Sequence, residues 1–345
     1  MRAGSNTRKF ASIILIVALF APYLFGGFAP IHANAQEEQT IVFDMSHGQY
    51  SDSIWEAEDF DLRLYLGPDY KLVWAWGGLN DSVLADADGL VIGSIYGDEN
   101  GFTTAEIEAV STWFNAGNKF LWVGADSDFS GAYINNNMSA ILEACGSHVY
   151  PEPTAVEDPE YNAGSAYRVV ATEYSTDPFV ADIVEGVNAT LMHGPTCLYG
   201  ATGGAADAGP VDLRTTDIAN VYPVMRYSEN AVIADGDTVD PLAHPTDAEG
   251  DFVAMTVETY AGTNQTGIIV VSGASPYGDY KPMTATSYYD VPLTGHYLVR
   301  QTFDWGMEMA PTLVAPDPLG GLLPIIAVVG IAIVVVVVMY FIMKK

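Results

Sequence analysis

Residues 102–124, FTTAEIEAVSTWFNAGNKFLWVG, decide the fold class. Thr103 and Glu106 have the three-residue spacing of a capping box, in which each side chain satisfies an amide left open at a helix start. Ile107, Val110, Trp113 and Phe114 then fall on one helical face. Gly117 stands where a left-handed residue ends the helix. KFLWVG (119–124) follows at once as a short apolar strand. An amphipathic helix running straight into a buried strand is the unit from which parallel sheets are built.

Upstream, TIVFDM (40–45), KLVWAW (71–76) and DGLVIGS (88–94) read as three more buried strands. Between the first two, Phe60, Leu62, Leu64 and Leu66 alternate as a strand would. Two parallel strands need a crossover connection, however, so a helix is the expectation there. Downstream, Met138, Ile141, Leu142 and Cys145 repeat at i, i+3, i+4 and i+7, and Gly146 closes a second helix. After Pro151 the texture turns β-rich: YRVVATEY (167–174), TLMHGPTCLYG (190–200), NVYPVMRYSENAVIAD (220–235) and DFVAMTVETY (251–260) are antiparallel or appended at a sheet edge. GTNQTGIIVVSGASPYGDY (262–280) adds a buried strand with a polar end, and residues 295–309 read as a closing helix. The expected fold is α/β: a mostly parallel sheet with helices on both faces, a β-rich second half, and one C-terminal transmembrane helix.

The ends set the expected location. Residues 1–35 read as a signal peptide, with Arg2, Arg8 and Lys9, an apolar middle, and the cleavage site Ala33-Asn34-Ala35. Residues 322–343 carry no charge; at about 1.5 Å per residue they span roughly 33 Å, enough for a bilayer core of about 30 Å. Lys344 and Lys345 put the tail inside. The expectation is a single-pass cell-membrane protein held in the lipid bilayer: an extracellular domain over 36–313, a Pro/Gly linker over 314–321, the span, and a cytoplasmic tail over 344–345.

The formal net charge is −30, and five of the 13 basic residues lie at the two ends, whereas all 43 acidic residues lie between them. Nucleic acid is excluded as a partner, because phosphate neutralisation needs clustered Lys and Arg. Such a surface suits salty water and attracts cations. Cys145 and Cys197 are expected to form a disulfide in an oxidising exterior, with two buried thiols as the other reading. Asn80, Asn137, Asn188 and Asn264 begin glycan acceptor triplets.

In doubly wound sheets ligands bind beyond the carboxyl ends of the strands. Four strand ends here are polar. IVFDMSHGQY (41–50) supplies Asp44, Ser46, His47 and Gln49. The others supply Ser94 and Tyr96; Asp126, Ser127 and Asp128; and Ser272, Ser275 and Asp279. The expected ligand rim is Asp44, His47, Gln49, Ser94, Tyr96, Asp126, Ser127, Ser275 and Asp279. A catalytic reading would use Ser46 or Ser127 as nucleophile and His47 as base, oriented by Asp44 or Asp126. Against it, Asp44, Ser46 and His47 are too close in sequence for an unaided relay, and there is no G-x-S-x-G elbow. No cofactor is expected. DSDFSG (126–131) matches the first half of a calcium loop, offering Asp126, Asp128 and Ser130, but its twelfth position is Asn137 where a carboxylate belongs.

The order of elements resembles the class I glutamine amidotransferase-like superfamily, in its non-catalytic branch of prokaryotic surface and transport-associated proteins. IVFDMSHGQY, ADADGLVIGS, the helix-to-strand unit and TGIIVVSGASPYGDY carry the resemblance, over roughly residues 40–309. Catalytic members have a cysteine nucleophile on the turn after the strand matching KFLWVG. Here that turn is VGADSDF, without cysteine, and His296 has no acid two residues on. Together with the membrane anchoring read from the ends, the expectation is an extracellular binding domain without catalysis, for a small ligand or a surface protein, and the resemblance implies association with a transport or surface assembly. A hydrolase or amidase using the strand-end Asp/Ser/His cluster and a structural surface component are the alternatives.

Overall fold

The computed structural model describes residues 38–49, 62–129, 133–234, 236 and 239–316. Its frame is an eight-stranded sheet: β1 (Thr40–Asp44), β2 (Lys71–Ala75), β3 (Gly89–Ile92), β4 (Phe120–Gly124), β5 (Glu173–Tyr174), β6 (Val221–Arg226), β7 (Val253–Ala261) and β8 (Gly267–Ser272). In space the order is β2-β1-β3-β4-β8-β7-β6-β5. The five strands from β2 to β8 run parallel. β7, β6 and β5 continue the sheet antiparallel, and this is where the β-rich second half attaches.

The parallel strands are buried on both faces, so their residues alternate between two cores. Phe43, Val91, Trp122 and Val270 enter one. Val42, Ile92, Val123 and Val271 enter the other. Residues 62–66 (α1) are helical. Leu62 and Leu66, four apart, are buried and Leu64 is 58% exposed, a helical pattern rather than a strand's. The short α2 (Asp81–Leu84) follows β2. α3 (Thr104–Asn115) starts at the expected capping box, and Gly117 adopts φ 96° just past its end. α4 (Tyr133–Ala144) leads to Cys145 and to Gly146 at φ 73°. α3 and α4 contribute Val110, Trp113, Ile141 and Leu142 to the second core. The short α5 (Ala181–Val184) and the closing α6 (Gly295–Met309) contribute Ile183, Leu298, Val299 and Phe303 to the first. Helices thus cover both faces.

One expectation needs correction. Cys145 and Cys197 are buried free thiols, not a disulfide. Cys145 belongs to the core on one side of the sheet and Cys197 to the core on the other. The helical repeat correctly turned Cys145 inward, but inward has two sides in a doubly covered sheet. Among the described residues no helix is long and apolar enough to cross a membrane. The signal peptide at 1–35 and the span at 322–343 lie outside the described residues.

Candidate functional site

β1 lies between β2 and β3, so the chain reverses its winding there, and the β1–β3 crevice is the usual ligand position. In this protein that crevice is filled. The Tyr277 hydroxyl donates to Asp44 O at 2.7 Å and Val91 O at 2.9 Å, and accepts from Gly93 N at 3.0 Å. Gln49 Nε2 donates to Asp44 Oδ2 at 3.1 Å and lies 3.4 Å from Gly93 O. Ser94 Oγ donates to Ala125 O, and Ser275 Oγ accepts from Ser94 N and donates to Tyr277 O. These side chains tie strand ends together.

The Asp44–Ser46–His47 cluster behaves the same way. Ser46 Oγ donates to Asp44 Oδ1 at 2.6 Å. His47 Nδ1 lies 2.6 Å from Asp44 Oδ2 and 3.2 Å from Ser46 Oγ. A catalytic relay sets nucleophile and acid on opposite ring nitrogens; here both sit on Nδ1. Nε2 instead lies 3.3 Å from Glu106 Oε1, the carboxylate of the α3 capping box, and the ring lies against Phe102. Burial pulls the His47 pKa down, but the hydrogen bond and charge of Asp44, with Glu106, outweigh it and leave it raised. A raised folded value gives stability that is full below the unfolded value of about 6.5 and is lost as pH rises through the folded one. Glu106→Gln keeps the cap and removes the charge. We expect it to destabilise by about 1 kcal/mol at pH 5.5 and by less at pH 8.5, read from urea unfolding; an equal loss at both pH values would refute the ion pair.

One strand over, above β3, β4 and the loop after β8, the rim opens into a cavity of about 660 Å³. Tyr96, Asp126, Ser127 and Asp128 line it from the parallel sheet; Val156, Glu157, Tyr167, His193 and Tyr280 line it from the β-rich half and the β8 loop. Phe129, 86% exposed, stands at the mouth. Tyr96 Oη bridges two buried carboxyls, 2.7 Å from Asp279 Oδ1 and 3.1 Å from Asp126 Oδ2. Burial pushes Asp126 up to about 7. Burial, then the charge of Asp126, holds Asp279 well above the carboxylate range. The backbone fixes the pair: Ser127 N donates to Asp126 Oδ1 at 2.7 Å, Tyr280 N donates to Asp279 Oδ1, and Asp279 Oδ2 has no hydrogen-bond partner. Asp128 Oδ2 accepts from Gly236 N at 2.6 Å, drawing a loop toward the cavity. Burial, then Arg168, lowers His193 to about 4, so it is neutral at pH 7.

Of the nine rim residues expected from sequence, Tyr96, Asp126 and Ser127 line the cavity and Asp279 joins through Tyr96. Asp44, His47, Gln49, Ser94 and Ser275 are committed to the neighbouring strand ends. Of the calcium-loop residues, Asp126 and Asp128 have the partners just described, and Ser130 lies outside the described residues. Of the glycan positions, Asn80 caps α2, Asn188 Oδ1 lies 3.3 Å from Thr294 Oγ1, and Asn264 Nδ2 donates to Asn115 O at 2.6 Å. Sequence reasoning missed Tyr167, His193 and Tyr280. The phrase TLMHGP contained the one available signal, a histidine and a glycine at the end of an apolar strand. A more open groove of about 950 Å³ lies at the antiparallel edge, but its Arg214 and Arg226 face Asp212 and Asp251.

Fold and site together define an α/β protein with a mostly parallel sheet and a cavity at its strand ends. No protein-family model matches the chain, and no curated protein sequence matches it. Solved structures similar to it include the mmIFT52 N-terminal domain, 13% identical, TM-score 0.49, over 77% of this chain and 96% of that one. A protein of Bacteroides uniformis described as ThuA-like is 14% identical, TM-score 0.39, over 81% of this chain and 95% of that one. A protein of Thermoplasma acidophilum described as part of a GMP synthase is 12% identical, TM-score 0.35, over 80% and 95%. Each is a distant likeness.

Proposed function

We propose that the protein is a membrane-anchored extracellular domain that binds a small organic cation in the Asp126–Asp279 cavity without transforming it. The carrying observation is the charge of the lining. Asp126, Asp128 and Glu157 are acidic, no lining residue among those described is Lys or Arg, and His193 is held neutral. An anionic ligand such as a nucleotide or a carboxylate would meet these acidic side chains in the lining. An ammonium group would supply hydrogen-bond donors to the carboxyl pair and rest against the rings of Tyr167, Tyr280 and Phe129. Tyr167 already carries the Arg168 guanidinium 4.9 Å from its ring centre. The acidic body of the chain concentrates cations near the mouth. The turn after β4, from Gly124 to Asp128, has no cysteine, which supports the non-catalytic reading.

Binding a cation displaces the proton that the carboxyl pair holds. Affinity for amines is therefore expected to rise about tenfold per pH unit below the Asp126 value of about 7 and to level off above it. Calorimetric titration of the full-length chain with monoamines, diamines and quaternary ammonium compounds at pH 6, 7 and 8 measures this, with neutral sugars and nucleotides as controls. Preference for sugars or nucleotides, or amine binding indifferent to pH, sinks the proposal. A second reading rests on the same pair: a carboxyl held near neutrality beside one held well above its ordinary range suits general acid–base chemistry. Turnover of amide or ester substrates, abolished by Asp126→Asn, would favour it.

A further inference from the structure

Away from the cavity, three buried side chains from distant parts of the chain meet at one nitrogen. His244 Nδ1 lies 2.6 Å from Glu152 Oε2 and 3.7 Å from Cys197 Sγ. His244 is 2% exposed and the other two are 0%. Glu152 follows the strand Val149–Pro151, and Cys197 precedes the strand Leu198–Ala201 that pairs with it. His244 comes from the long connection before β7. Glu152 also accepts from the backbone amides of Leu242 and Ala243, so the carboxylate holds that connection in place.

Cysteine, histidine and glutamate are the members of a hydrolytic triad, but this is not one. In a relay the nucleophile and the acid use opposite ring nitrogens. Here both approach Nδ1, and the sulfur is sealed from solvent. Convergence on a single point is the geometry of a ligand set, and one donor atom from each residue lies within 4.8 Å of the others. The Sγ–Nδ1 separation of 3.7 Å suits the edge of a tetrahedron with a metal–sulfur bond of about 2.3 Å and a metal–nitrogen bond of about 2.0 Å. The Glu152–His244 contact has to open, from hydrogen-bond length to ligand–ligand length.

The far side of the ring gives an independent reason. His244 Nε2 is buried and makes no hydrogen bond. Asp212 Oδ1 nevertheless lies 3.4 Å away. With the imidazole proton on Nδ1 facing Glu152, a nitrogen lone pair confronts a carboxylate oxygen. A metal on Nδ1 moves that proton to Nε2 and turns the confrontation into a hydrogen bond. Asp212 then takes the place of the outer carboxylate that orients metal-bound histidines. It is already fixed there by Arg214, whose Nε and Nη2 donate to it at 2.9 and 2.7 Å.

We propose that Glu152, Cys197 and His244 bind a zinc ion that clamps the connection before β7 onto the β-rich half. A soft thiolate with an imidazole and a carboxylate suits zinc better than magnesium or calcium, which prefer all-oxygen sets. Three protein donors leave the fourth tetrahedral position to a water. Binding releases the thiol proton to solvent, while the imidazole proton passes from Nδ1 to Nε2.

The test uses the full-length chain stripped of metal and titrated with zinc or cobalt ions alone. One equivalent of zinc per chain is expected, with a melting temperature raised by several degrees. Cobalt is expected to give a thiolate-to-metal charge-transfer band in the near ultraviolet, abolished by Cys197→Ser and retained by Cys145→Ser. Asp212→Asn should weaken zinc binding at least tenfold while keeping the band. A cobalt complex without the band, zinc binding unchanged in Cys197→Ser, or no binding at all would overturn the site and leave His244 as a buried contact between Glu152 and Asp212. His244→Gln risks misfolding, so the deciding variant is Cys197→Ser, which changes one buried atom.

Discussion

Asp126→Asn is expected to stabilise the protein by roughly 4 kcal/mol at pH 8 and to leave it nearly unchanged at pH 4. The direction follows from the proton. Burial raises the Asp126 value in the folded state to about 7 from an ordinary 3.8. Between those values the folded chain holds a proton that the unfolded chain has lost, so stability falls as pH rises through the window. At pH 8 a desolvated charge remains in the cavity floor. Asparagine removes it and keeps the shape: its Oδ1 can still accept from Ser127 N, and its Nδ2 can face the Tyr96 hydroxyl, which continues to donate to Asp279. Urea unfolding at pH 4, 6 and 8 reads the result. A variant less stable than wild type at pH 8 would mean that the carboxylate is better solvated there than its burial implies.

The same substitution is expected to abolish the pH dependence of amine binding. A site that destabilises its own fold and needs that feature to hold a ligand is a common compromise. It also separates the cavity from the His47 cluster. Asp44 and Glu106 pair with His47 on both ring nitrogens and steady the loop after β1. Asp126 and Asp279 have no cationic side chain among the described residues that line the cavity.

The strands were legible because burial on both faces leaves a continuous apolar run: TIVFDM, KLVWAW, DGLVIGS and KFLWVG each contain the strand found, within a residue or two. α3 was legible because its capping box and its glycine stop are local chemistry. The helix at 62–66 was ambiguous because Leu62, Leu64 and Leu66 fit both periods until burial separates them. The rim was legible only as a place. Whether Ser94 and Ser275 face a ligand or one another depends on Tyr277, whose hydroxyl fills the crevice between β1 and β3 from more than 180 residues away. Nothing local in SGASPYGDY announces that. The far wall of the cavity was hidden for the same reason. His193 ends one, and Tyr167 directly precedes the other, of two strands that pair outside the main sheet, and that they share a lining with Asp126 is a matter of tertiary packing. The zinc donors lie at 152, 197 and 244, without the short repeated spacing that marks a metal motif in a sequence.

Phe303→Ala is expected to lower stability by roughly 4 kcal/mol, near the upper part of the range for emptying an aromatic site. Phe303 is fully buried on the sheet-facing side of α6. Its ring centre lies 5.8 Å from that of Phe43 on β1, and 5.8 and 5.2 Å from those of Phe120 and Trp122 on β4. Truncation therefore strips contacts from two strands at once. The size of the loss turns on whether the helix can settle into the space. It has little room to do so, because one turn further on the backbone already touches the sheet: a Cβ on Gly306 would stand 2.2 Å from the Phe120 ring. A helix held off by that contact cannot collapse into a void beside it, so most of the cavity persists, and a persistent cavity is what separates costly truncations from mild ones. Urea midpoint and melting temperature measure the change, with Phe303→Leu expected to recover more than half of it. A loss under about 1 kcal/mol would mean that α6 slides over the sheet after all, and the Gly306–Phe120 contact could not then be what fixes its height.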